Sequence, residues 1–126
     1  MFIKFKDITN EITIDVRTRS EFNNMKLFQY NIPVINEYNH MRIKRFYPLA
    51  IPIILISLYR NRNYIKANLL LLSNNGKLPI VIGCSRGRLR SPIIFLYAKL
   101  IGIKHCKILS GGIKNLFLNK EKRDSN

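Results

Sequence analysis

The chain has 126 residues, with 22 Lys and Arg against seven Asp and Glu, a formal net charge of +15 and a pI near 10.3. That length suits one domain with a sizeable core, and a 47% hydrophobic fraction excludes a disordered polyelectrolyte. So large a basic surplus implies an anionic partner (nucleic acid, an acidic protein or a lipid surface), although a chain rich in Lys, Ile and Asn together also fits a drift in composition.

In chain order, residues 1–7 hold no apolar leader core, so export is not expected. Phe2-Ile3-Lys4-Phe5 and Glu11-Ile12-Thr13-Ile14-Asp15-Val16 alternate and are β-branched, which predicts two short strands. A polar loop with a short helix follows over residues 17–22, then an extended piece over 31–36 held open by Pro33. Helix is expected over 37–46, and one or two helices over 48–73 with a break near residues 61–63. The apolar run 49–59 contains Pro52 and has only about half of the ~20 residues that span a bilayer, so it reads as a core helix and no membrane partner is expected. Asn74-Asn75-Gly76 predicts a turn, Pro79-Ile80-Val81-Ile82 a strand, 91–101 a helix and 105–109 a strand. Gly111-Gly112 should turn into a last helix ending near Leu118, closing a domain of residues 1–118 before a polar tail, 119–126.

Strands alternating with helices predict an α/β fold with a parallel sheet covered on both faces. Ligands in such folds sit beyond the carboxyl ends of the strands. Cys84 falls there, at the head of Cys84-Ser85-Arg86-Gly87-Arg88-Leu89-Arg90-Ser91. A loop of this kind can turn backbone N–H groups inward, and the following helix adds the positive end of its dipole, so together they favour an anion or a thiolate. Cys84 is therefore the candidate nucleophile, with Ser85, Arg86, Gly87, Arg88, Leu89, Arg90 and Ser91 as the anion-binding loop. Arg90 is expected to fold back over the anion, Arg86 is second choice, and Arg88 is expected to face solvent or a nucleic-acid phosphate. Ser91 suits a helix N-cap and Pro92 the first helical position. Asp15 and Arg17 should pair beside the loop in a supporting, structural role. Cys106, mid-strand, reads as a buried hydrophobe. His40 and His105 lack ligand spacing, so no metal is implied.

Taken together, these elements resemble the rhodanese superfamily of sulfur-transfer domains. Asp15-Val16-Arg17 with Glu21-Phe22, Asn31-Ile32-Pro33, Cys84 opening the loop, and Leu109-Ser110-Gly111-Gly112-Ile113 resemble that family's motifs in order and spacing. The loop narrows the resemblance to the N-terminal rhodanese domain of tRNA 2-selenouridine synthases, whose loop reads Cys-Ala-Arg-Gly-Gly-Leu/Met-Arg-Ser. Asn31-Ile32-Pro33-Val34-Ile35-Asn36-Glu37 is similar to another of their runs. The resemblance implies a rhodanese-like three-layer α/β/α fold with a mostly parallel central sheet. It also implies a cytoplasmic transferase that carries sulfur or selenium on Cys84 as a persulfide or perselenide. No cofactor would be tightly bound, and selenophosphate or a sulfur donor would be co-substrate. tRNA would be the partner, alongside a separate P-loop protein supplying the second half of the synthase, because no Gly-x4-Gly-Lys-Ser/Thr loop occurs in this chain. Residues 40–76 depart from the family, being shorter and more apolar.

Three other readings remain open on the residues. A generic thiosulfate sulfurtransferase would use the same thiol. Cys84-x2-Gly87-x2-Arg90-Ser91 also fits a cysteine-dependent phosphatase, but that chemistry needs a general acid, and no Asp or Glu lies between Glu37 and Cys84. An RNA-binding adaptor could keep the fold without the reaction.

Overall fold

Strands β2 (Ile12–Asp15), β4 (Ile80–Gly83) and β5 (Cys106–Leu109) form the middle of a five-stranded, wholly parallel sheet. The two-residue strands β1 (Phe2–Ile3) and β3 (Tyr30–Asn31) lie at its edges, in the order β1-β5-β4-β2-β3. The computed structural model describes residues 2–24, 26–84 and 90–113. Five helices connect the strands: α1 (Arg19–Asn24), α2 (Glu37–Arg45), α3 (Ala50–Arg60), α4 (Arg62–Leu72) and α5 (Arg90–Leu100). Among the described residues no helix is long and apolar enough to cross a membrane.

Both faces of the sheet are covered, which is why β4 is buried at every position and reads as an unbroken apolar run. Ile14, Ile80, Ile82 and Ile108 point to one face, where they pack with Ile54 of α3, Ile65 and Leu69 of α4, and Ile94 and Ala98 of α5. Val81 and Leu109, of opposite parity, point to the other face and meet Ile3, Phe28 and Ile113. Each isoleucine buried this way contributes roughly 1.5–3 kcal/mol. The result is the three-layer α/β/α arrangement with a parallel central sheet that a rhodanese-like domain is expected to have.

The expected elements hold with local departures. β1 stops at Ile3 and a 3-10 helix, Phe5–Asp7, replaces the rest of the expected strand. Its partner β5 runs out at the same level, where Ile3 pairs with Leu109 and the chain turns at Gly111 (φ 80°). In the piece over 31–36 the strand register ends at Asn31, but the Ile32 and Val34 N–H groups still donate to the Asp15 and Val16 carbonyls at 2.9 and 3.4 Å, while Pro33 between them has no N–H to give. The break between α3 and α4 falls at Asn61, whose Nδ2 donates to the Ser57 carbonyl. Asn74, Asn75 and Gly76 all adopt left-handed φ, at 53°, 59° and 84°, and the Ser73 hydroxyl closes the turn by accepting from the Gly76 N–H at 3.0 Å. The last helix and the tail expected beyond residue 113 lie outside the described residues.

Candidate functional site

β2 leads on to β3 and β4 leads on to β5, so the chain leaves these two neighbouring strands in opposite directions. At such a switch point the connections splay apart and open a crevice at the carboxyl edge. Cys84 stands there as the residue after Gly83, with Arg17 and Thr18 arriving from the adjacent strand. The two strand ends are joined by the Val16 N–H donating to the Gly83 carbonyl at 2.9 Å, and the Cys84 carbonyl accepts from the Ile113 N–H, also at 2.9 Å. Gly83 is required by close packing: a Cβ there would come within 2.5 Å of Phe28 Cε2. Cys84 is only 2% exposed and belongs to the apolar cluster on the α3–α5 face. A thiol so enclosed is shielded from bulky electrophiles. The loop residues Ser85, Arg86, Gly87, Arg88 and Leu89 lie outside the described residues.

The expected Asp15–Arg17 pair is present and wholly buried. Arg17 Nε and Nη2 donate to the two carboxylate oxygens at 2.7–3.0 Å, and the Arg17 N–H donates to Oδ1 at 2.9 Å. Burial pushes the Asp15 carboxyl above its ordinary range, opposed by these hydrogen bonds. Asn31 explains its own presence here, since Nδ2 donates to the carbonyls of Asp15 and Arg17 at 2.9 Å and fixes the turn between them.

Arg90 departs from expectation. Its Nη1 donates to Glu21 Oε1 at 2.9 Å, so the guanidinium expected to close over an anion is held by a carboxylate from α1. Glu21 also builds the start of α1: its Oε1 accepts from the Thr18 N–H at 3.2 Å while the Thr18 hydroxyl accepts from the Glu21 N–H at 3.3 Å. This is a capping box, and the Thr18-x-x-Glu21 spacing that signals it is visible in the sequence. Burial alone would raise the Glu21 carboxyl, but Arg90, His40 and the Thr18 amide outweigh it and hold it at about 2. His40 Nε2 lies 3.5 Å from the same oxygen. Burial, Arg90 and Lys44 draw the imidazole below its ordinary value, so it is neutral at pH 7 and adds no ion pair there. Glu37 accepts from the Ser20 N–H and hydroxyl at 3.1 and 2.8 Å, tying α1 to α2. Ser91 also differs from its expected part. It lies inside the first turn of α5, fully buried, and its hydroxyl has no hydrogen-bond partner among the described residues, so it is not seen to cap the helix.

A groove of about 820 Å³ lies next to this edge, between the segment after β3 and helices α2 and α3. Arg19, Arg42, Arg60 and Tyr64 line it over a floor that includes Val34 and Ile53. In the sequence Arg42, Lys44, Arg45, Arg60 and Arg62 read as a solvated face that could track a tRNA backbone; that Arg42 and Arg60 share a groove with Arg19 and Tyr64 is not legible there, because these residues are scattered along the chain. Cys106 sits in β5, where burial pushes its thiol up to about 12 and keeps it protonated. Among the described residues no cluster of His, Cys, Asp or Glu could hold a metal ion.

No family model matches the chain, and no curated protein matches it. A solved structure does: the crystal structure of the N-terminal domain of a "putative ATP/GTP binding protein" from Clostridium difficile 630 has a TM-score of 0.81 at 24% identity, covering 95% of this chain and 98% of that one. At that identity the likeness is one of fold.

Proposed function

We propose that the chain is a rhodanese-type transferase that carries sulfur or selenium on Cys84, acting in the cytoplasm as the rhodanese component of tRNA wobble 2-selenouridine synthesis. The observation that carries this reading is the place of Cys84 at the carboxyl end of the central strand β4, at the switch point and one loop before α5. With thiosulfate as donor, the Cys84 thiolate attacks the outer sulfur. A new S–S bond forms as the old one breaks, and sulfite leaves with the electron pair, so the charge is conserved and Cys84 holds a persulfide. With selenophosphate the thiolate attacks selenium, and the P–Se pair departs on phosphorus as phosphite, which takes up a proton. The solved neighbour is the N-terminal domain of a larger protein named for nucleotide binding. In the proposed reading a P-loop partner protein supplies that capacity here.

Phosphatase chemistry is less favoured on physical grounds. A general acid must be protonated at the working pH, whereas Glu21, the carboxylate that reaches Arg90, is held ionised at about 2. The deciding experiment is intact-mass measurement after incubation with thiosulfate or selenophosphate. Wild type and Cys106→Ser should gain one sulfur or selenium atom, and Cys84→Ser none. An adduct that survives in Cys84→Ser, or aryl-phosphate hydrolysis that Cys84→Ser abolishes, overturns the reading.

A further inference from the structure

Three arginines line one groove and outnumber Glu37, its one acid among the described residues. Arg19 at the head of α1, Arg42 on α2 and Arg60 at the end of α3 line it. Among the described residues only Arg17, Arg90 and the neutral His40 lie within 4.0 Å of an acidic oxygen, which leaves these three arginines with none among those residues. Glu37 also borders the groove, but Ser20 holds both of its oxygens. Beside Arg60 stands Tyr64, half exposed, and the floor between the cations is apolar.

Cations, an exposed aromatic ring and an apolar floor together match an unpaired nucleic-acid strand, which offers phosphates to the first and base faces to the others. A duplex presents its backbone and would leave the ring and the floor unused. An acidic polypeptide would satisfy the arginines but has no base to stack. The groove volume, about 820 Å³, falls within the usual range of small-ligand sites, roughly 300–1,000 Å³, and so has room for a short stretch of nucleotides. Its walls follow β2 and β3, and Cys84 follows β4, two strands from β3. At about 4.8 Å per strand, the groove begins ~10 Å from the end of the strand that carries the thiol. We infer that this groove binds single-stranded RNA, with phosphates on Arg19, Arg42 and Arg60 and a base stacked on Tyr64. The inference deepens the tRNA reading above and rests on it for which RNA is bound.

Fluorescence anisotropy with a short fluorescein-labelled single-stranded oligoribonucleotide tests it on the full chain. The triple variant Arg19→Gln, Arg42→Gln, Arg60→Gln should bind at least about tenfold more weakly, and its log K against log salt slope should fall by about 2, since each lost phosphate contact to a single strand removes roughly 0.7. Tyr64→Ala should lose about five- to 100-fold and Tyr64→Phe little, as expected for base stacking. A control triple outside the groove, Lys6→Gln after β1 with Lys77→Gln and Lys104→Gln before β4 and β5, removes the same charge and should stay within about twofold of wild type. Equal losses in the control, an unchanged Tyr64→Ala, or displacement of the probe by polyglutamate as readily as by unlabelled RNA would each overturn the proposal, the last in favour of an acidic protein. The readout needs no sulfur donor. Binding through these residues by a chain whose Cys84 takes up no sulfur would sink the transfer reading and leave the groove standing, and the reverse result would sink the groove alone.

Discussion

Replacing Glu21 by Gln keeps the shape and the hydrogen-bonding oxygen of the side chain while removing its charge, so it isolates the Arg90 ion pair from the capping box. The folded carboxyl sits at about 2 against an ordinary 4.5. At roughly 1.4 kcal/mol for each tenfold change in proton affinity, that difference corresponds to about 3 kcal/mol. The two side chains are 18% and 11% exposed, and solvent screening reduces the contribution to about 2 kcal/mol. Because the folded value lies below the unfolded one, the stabilisation is complete above about 4.5 and is lost as the pH falls towards 2. Urea unfolding followed by circular dichroism should therefore show the Glu21→Gln midpoint lower by about 1 M at pH 7. The gap should hold down to pH 5 and close progressively at pH 4 and pH 3. A gap that is absent at neutral pH, or that persists undiminished at pH 3, would refute the argument that charge pairing with Arg90 anchors α1 to α5.

The same pair bears on function: if Arg90 also serves the oxyanion, Glu21→Gln should accelerate loading of Cys84 at low thiosulfate, which a time course by mass spectrometry would register. Asp15→Asn strips the buried Arg17 guanidinium of its carboxylate and should cost about 3–5 kcal/mol in chemical denaturation, a loss far beyond that of an exposed ion pair. Gly83→Ala drives a methyl into the Phe28 ring and should cost roughly 1–3 kcal/mol, with Phe28→Leu in the same chain recovering part of it. For the thiols, burial should make Cys84 react slowly with a bulky aromatic disulfide while thiosulfate still loads it. Cys106, held protonated with its thiol near 12, should resist iodoacetamide at pH 8.

Local chemistry was legible in the sequence wherever it was self-contained. Asn74-Asn75-Gly76 announced a turn because those residues tolerate left-handed φ, and all three adopt it. The apolar run before Cys84 announced a strand because β4 is covered on both faces. Features that depend on a distant partner were not legible. Phe2-Ile3-Lys4-Phe5 alternates like a longer strand, but its length is set by where β5 stops. Ser91 has the composition of a cap, yet it is buried inside the first turn with its hydroxyl unpartnered among the described residues. Arg90 read as an anion ligand from its place in the loop, while its observed partner is 69 positions away.

That last difference changes how the site is built. In a chain of net charge +15 the cations repel one another, and the scarce carboxylates matter by where they are placed. Asp15 pairs with Arg17 just after β2 and Glu21 with Arg90 at the start of α5, so these two guanidinium groups are anchored by acids from β2 and α1. Glu37, through Ser20, extends the same scaffold to α2 and the edge of the basic groove. Arg19, Arg42 and Arg60 receive no such partner among the described residues. Among the described residues, acids pair Arg17 after β2 and Arg90 at the start of α5 but not the arginines of the groove, which divides the edge into a paired region and an open cationic surface. A carboxylate introduced into the groove, Asn39→Asp, should therefore weaken RNA binding, with its effect fading as salt is raised; an effect that did not depend on salt would contradict that division.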